Sequence, residues 1–378
     1  GVTYGDFAQG TARRVFVPRA IHIQVSHSNA PVAGALTWMK EALNPPEALW
    51  IDAEDQTWHL KEWATLVAMI AGFASVLPLG LLLLGTRLFR PLQRPVAGEY
   101  ACQGRMCLKL AIINGLLMWL YLPLILILFA LHIYVIPIDG LFPMMLVNGI
   151  VWWFVLINII GFFLFRRWYK KESKATGLTL ADLGISYRDD RFALNWAQIG
   201  RTALLAAILF AFIYGIEHLL EAIFVVDYRS VFPFASDLTP YRALMFLIYF
   251  PFLLLGFLLM SLFLHGQFRH VRKETWLKTF LSWSVSNVLA MIVPLILFMM
   301  IQYVPLLTVG AIPLVGPGGM MANFTMSLFH IIGVLILIVP ISTWFYQLTG
   351  KIYLGAFLNA ALVTWMFVSS QVIAPIPV

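Results

Sequence analysis

The spacing of apolar and polar positions changes once along this chain. Through residue 62 the apolar positions come in short runs that suit brief strands and one amphipathic helix. Beyond it, eight long apolar runs follow, each of the roughly 20 residues needed to cross about 30 Å of hydrocarbon as a helix. They are expected near 63–86, 109–136, 141–165, 199–225, 241–265, 279–303, 320–347 and 351–373. A helix is required there because every backbone amide in a bilayer must be bonded within its own segment. The pattern predicts an all-α polytopic membrane protein with about eight transmembrane helices, preceded by a short α/β segment.

Within residues 1–62, VTYG reads as a strand and RRVFVP as a second. PVAGALTWMKEAL reads as a helix with Ala33, Leu36, Met39, Ala42 and Leu43 on one side. Pro31 suits its start and the NPP at 44–46 its end. A stretch this short buries little surface, so these elements are expected to complete a sheet supplied by something else. The opening residues show neither a basic n-region nor an apolar h-region, and read as the later part of a longer chain. Trp38 is placed against the closing helix, and Trp58 and Trp63 at the membrane edge.

Composition strengthens the membrane reading: 61% of residues are hydrophobic and 11% charged, against about a quarter charged in soluble domains. Mean hydropathy is +0.85. The net charge of +7 does not point to nucleic acid, because the cations cluster beside the spans. Arg87, Arg90, Arg94, Arg105 and Lys109 form one group; Arg166, Arg167, Lys170, Lys171 and Lys174 a second; Arg269, Arg272, Lys273 and Lys278 a third. Positive loops face the cytoplasm, which places the N-terminal segment and the C-terminus outside. An integral protein of a bacterial plasma membrane is the expected localisation. Cys102 and Cys107, the two cysteines, fall in a basic loop and are read as plain thiols.

Ionisable residues inside spans are candidates for function. Glu217 and Glu221 stand one helical turn apart with His218 beside them, a set able to bind a metal or relay a proton, or simply to face interfacial water. His132, His265 and His330 are isolated along the sequence, and the HExxH pairing is absent. His265 is read as a helix-end residue reaching to the interface. Asn114, Asn148, Asn158, Asn287, Asn323 and Asn359 are expected to bond between helices. Pro78, Pro123, Pro251, Pro294 and Pro340 are expected to kink theirs.

Two stretches resemble known families. The order strand, Asp6 in YGDF, strand, His22 in VPRAIHIQVSHS and closing helix is similar to the last part of an α/β-hydrolase. That resemblance implies Asp6 as the acid and His22 as the base, with His27 as the rival. The nucleophilic Ser would lie in an earlier G-x-S-x-G turn, which residues 1–62 do not contain. From about Thr179 to Val372 the chain resembles the CPBP family of intramembrane proteases, through LTLADLGIS, MSLFLHG and FYQLTGKIYLGAFLNAAL. Set on that family's Glu-Glu-x-x-x-Arg-Gly motif, Met260 and Ser261 replace the glutamates and His265 the arginine. Gln302, with His330 as an alternative, and Asn359 take the places of its histidines. The resemblance thus implies a protease fold without its chemistry.

The domains expected are an extracytoplasmic hydrolase-like segment (1–62), transmembrane helices 1–3 (63–178) and helices 4–8 with a degenerate CPBP-like core (179–378). The leading function is ester, amide or lipid hydrolysis by His22 and Asp6 with an upstream Ser. The alternatives are a non-catalytic membrane subunit holding a protein or lipid partner, and residual metal-dependent proteolysis using Glu217, Glu221 and His330. Membrane lipid, and a missing N-terminal hydrolase portion or another protein, are the expected partners; no cofactor is assigned.

Overall fold

The computed structural model describes residues 2–18, 20–229, 233–316 and 319–373. Residues 230–232 and 317–318, in two loops expected on the sparsely charged side, lie outside that description. The chain divides into two compact units, Gly1–Met69 with Tyr228–Pro233 and Ile70–Asp227 with Phe234–Val378.

In the first unit β1 (Thr3–Tyr4) pairs antiparallel with β2 (Arg13–Arg14). The turn between them needs Gly5, whose φ is +78° and where a Cβ would collide with the Thr11 carbonyl. A short 3-10 turn, His22–His27, leads into α1 (Asn29–Leu43), which ends on Asn44 in a left-handed conformation. Phe7 and Trp38 pack at 4.8 Å between ring centroids, placing Trp38 as expected. Met39, Ala42 and Leu43, however, stay exposed on the helix face that the periodicity marks as apolar.

Apart from a second two-stranded sheet of β3 (Tyr228–Arg229) and β4 (Pro233–Ala235), the rest is helical: α2 (Trp58–Ala74), α3 (Val76–Leu84), α4 (Gly104–Met118), α5 (Tyr121–Tyr134), α6 (Met145–Thr176) and α7 (Trp196–Phe224) come first. Then follow α8 (Pro240–Ser261), α9 (Trp276–Val309), α10 (Met320–Thr349) and α11 (Tyr353–Ser370). Taken as continuous segments, these supply eight apolar helices long enough to cross a membrane, an all-α polytopic fold. Several ends differ from expectation; the sixth span, for example, runs Trp276–Val309, beyond the hydrophobic stretch alone.

Two spans are broken, each at a place chemistry dictates. Pro78 and Pro123 have no N–H for the carbonyls of Ala74 and Trp119, and α2 gives way to α3, and α4 to α5, there. Pro251, Pro294 and Pro340 sit inside continuous helices. Asn114, Asn148, Asn287 and Asn359 tie spans together as anticipated, whereas Asn158 donates to the Phe154 carbonyl (2.8 Å) of its own helix. Asn114 donates to the Ala290 carbonyl (3.1 Å), Tyr249 donates to Asn148 (2.5 Å), and Asn287 donates to Thr343 (3.3 Å).

Near the basic end the loops build an ordered layer. Arg94 N–H donates to the Leu348 carbonyl and Cys102 N–H to the Arg269 carbonyl. Tyr353 O–H donates to the Ile185 carbonyl and Lys351 to that of Ser186. Beneath them Phe165, Leu178, Leu183, Trp283 and Tyr346 form a core cluster. Gly350, which caps the end of α10, has φ +59° and lies so close to Pro95 that a Cβ would stand 2.5 Å from its carbonyl oxygen.

Candidate functional site

The hydrolase-like residues lie in the first unit. Asp6 sits in the turn after β1, where one carboxylate oxygen, Oδ1, accepts from the amides of Ala8 (2.6 Å) and Gln9 (3.2 Å). His22 opens the 3-10 turn and is exposed. The two are not joined by a hydrogen bond or ion pair among the described residues. His27 is engaged elsewhere: Nδ1 lies 2.9 Å from Ser26 Oγ, Nε2 is 3.4 Å from Glu62, and its ring meets Trp58 edge-on.

In the second unit the stretch Leu258 to Arg272 is more deeply packed than its sequence suggests. α8 ends in a π-helical turn, Leu262–Gln267, a form often found where a side chain is aimed at a special place. His265 does not reach to an interface. It is 1% exposed, stacks on Tyr346 at 4.8 Å, and holds Nε2 3.2 Å from Ser342 Oγ. The correction has a simple cause: α10 brings Ser342 and Tyr346 over the π-turn, a partner about 77 residues away that no local pattern shows.

Arg269 is likewise no free surface cation. Its guanidinium donates to the carbonyls of Tyr100 (2.9 Å), Ala97 (3.1 Å) and Asp182 (2.8 Å) and to Tyr346 O–H (3.0 Å). The planar fork of donors suits this task, which a lysine would not perform.

The positions matched to the protease motif are all occupied by other work. Met260 and Ser261 are buried in α8. Gln302 accepts from the Leu314 amide (2.9 Å), and Asn359 donates to the Ile338 carbonyl (2.9 Å). His330 lies between Phe234 (4.9 Å) and Phe367 (5.3 Å), with neither ring nitrogen hydrogen-bonded among the described residues. Around His265 there is thus a hydroxyl and a phenol, where intramembrane proteolysis would need a carboxylate to activate water.

The pair Glu217 and Glu221 is completed by a residue the sequence did not single out. Asp237 brings a third carboxylate, and one oxygen from each of the three lies within 4.8 Å of the others. Glu217 is fully buried beside Glu221 and Asp237, so it does not face water. His218 Nδ1 approaches Asp237 Oδ2 at 2.6 Å. Hard oxygen ligands of this sort suit Ca²⁺ or Mg²⁺ better than a softer metal. His330, offered above as the third ligand, is not among them. Asp237 escaped notice because it sits in an irregular loop, where no periodicity relates it to α7.

Cys102 and Cys107, read from the sequence as plain thiols, are brought side by side, with Cα atoms 5.4 Å apart. Cys107 Sγ also lies 3.9 Å from His270 Nδ1. His270 is held below the ordinary imidazole range by burial, helped by the charge of Lys273.

Fold and side chains define an integral membrane protein of the all-α polytopic class, with a small α/β unit at its start. No family model, no curated protein and no solved structure matches the chain.

Proposed function

We propose that the chain is the membrane-embedded part of an α/β-hydrolase-like protein that cleaves an ester, amide or lipid. His22 is the general base and Asp6 the acid that orients it, with the nucleophilic Ser supplied from outside these residues. The observation that carries this reading is the surface the first unit leaves uncovered: Val15 is 71% exposed, Val17 84% and Leu43 72%. Apolar positions of that kind, just after β2 and at the end of α1, fit a segment that completes a larger sheet. Two details support the residue choice. Asp6 has one oxygen anchored by backbone amides, an arrangement that leaves Oδ2 for an imidazole. Of the two histidines, His27 is already held by Ser26 and Glu62.

The test is labelling of the full-length native protein with a serine-directed fluorophosphonate. Labelling that falls by orders of magnitude in His22→Gln and persists in His27→Gln is expected, since loss of a triad base removes most nucleophile activation. Absence of labelling in the parent, or loss only with His27→Gln, would overturn it.

A second reading concerns the helical unit alone: a scaffold with the frame of an intramembrane protease and none of its proteolysis. It is favoured by Met260, Ser261, Gln302 and Asn359, each of which lacks the acid–base chemistry the motif requires.

A further inference from the structure

Between α4, α6 and the end of α8 lies a cavity of about 430 Å³. Its deeper wall is apolar, formed by Ile113, Leu117, Ile157, Phe263 and Met291. Lys109, Arg167 and Lys171 line it at the basic end. All three cations are exposed, and none forms an ion pair among the described residues. From Ile157 to Lys171 on α6 is 14 residues (171 − 157), roughly 21 Å at about 1.5 Å per residue, much of one leaflet. Wall residues Met106 and Leu164 are 42% and 40% exposed, so the cavity is open to its surroundings.

The two features have a single chemical complement. A long apolar wall suits an acyl chain, while a cluster of unpaired cations at its charged end suits a phosphate. A chain that leaves the bilayer for this cavity gains little from apolar burial, because lipid tails are as apolar as the wall. Selectivity therefore resides in the headgroup, where basic residues at a membrane surface attract anionic lipid.

We propose that this cavity binds an anionic glycerophospholipid, with its phosphate at Lys109, Arg167 and Lys171 and an acyl chain along α4 and α6. The proposal rests on the membrane character of the helices and is independent of the hydrolase reading. A free anion would use the cations and leave the apolar wall empty; a neutral lipid would leave the cations unpaired.

The test is native mass spectrometry of the delipidated full-length protein, titrated with phosphatidylglycerol and with phosphatidylcholine of the same chains. Preferential binding of phosphatidylglycerol is expected. Each of Lys109→Gln, Arg167→Gln and Lys171→Gln should weaken that preference about five-fold, from about 1 kcal/mol per basic residue. The triple variant should lose about a hundredfold, and Lys278→Gln, outside the cavity, nothing. Gly161→Leu supplies a second arm. A Cβ at Gly161 meets only Leu117 Cδ1, at 3.8 Å, so a larger side chain enters the cavity and should weaken both lipids. Equal binding of the two lipids, an unchanged triple variant, or displacement by inorganic phosphate as effective as by lipid would overturn the proposal. Fluorophosphonate labelling should be unaltered in all of these variants, which separates a failure here from a failure of the hydrolase reading.

Discussion

His265 and Ser342 meet inside the helical unit at 3.2 Å, one from the π-turn after α8 and the other from α10. The pair is fully buried, with the His265 ring also stacked on Tyr346. His265→Ala removes the stack, leaves a cavity and strips Ser342 of a partner. A loss of about 2–4 kcal/mol is expected, as for other large-to-small changes in packed interiors. Ser342→Ala, which still leaves the stack, should cost about 1 kcal/mol. Thermal unfolding in detergent, read by intrinsic fluorescence, checks both; equal losses would show that the stack contributes nothing.

Arg269 binds four acceptors drawn from three separate parts of the chain. Arg269→Lys keeps the charge and loses the fork, so several carbonyls lose their donor at once. The expected cost is about 2–3 kcal/mol, against near zero for an exposed Arg188→Lys. Hydrogen exchange offers a local readout, with faster exchange confined to the loops around 97–100 and 182 if the guanidinium is what joins them.

Lys351 is pushed down to about 8 from an ordinary 10.5, by burial first and by the nearby charge of Arg94 second. Its ammonium lies over Tyr187 at 4.9 Å and donates to the Ser186 carbonyl, which offsets only part of that cost. Because the folded value is the lower one, the unfolded chain binds more protons between about 8 and 10.5, and stability rises with pH across that window. Below about 8 the penalty is present in full. The thermal midpoint of the parent should therefore climb from pH 8 to pH 10, and Lys351→Met should flatten that climb. A Lys351→Met slope equal to the parent's would refute the assignment.

Glu217, Glu221 and Asp237 crowd three carboxylates together, one of them buried. Glu217→Gln keeps the shape and removes an acid that repels its neighbours once ionised. In a chelating buffer at about pH 9 the thermal midpoint of the variant should exceed the parent's, by roughly 1–2 °C for each kcal/mol of repulsion removed. Glu221→Gln, at a partly exposed position, should give a smaller rise.

Gly350 adopts a left-handed backbone against the Pro95 carbonyl. Gly350→Ala is expected to cost more than the roughly 1 kcal/mol of backbone preference alone, since the new methyl also displaces the 94–96 loop. A stability loss below about 1 kcal/mol would mean that this loop yields easily.

The sequence by itself determined the membrane class, the number of spans and the side on which the basic loops gather. Those properties follow from runs of about 20 residues and from local charge, which need no knowledge of distant partners. It also marked four of the six asparagines correctly as ties between helices. Only the tertiary structure decided what Leu258 to Arg272 is. His265 and Arg269 look like interfacial polar groups along the chain, and become buried ones because Ser342, Tyr346 and the loops around 97 and 182 fold over them. The same holds for Asp237 beside Glu217 and for the juxtaposition of Cys102 and Cys107. Periodicity records which face of one helix is apolar, while the partner of a buried polar group is set by how separate helices and loops pack, which periodicity does not encode.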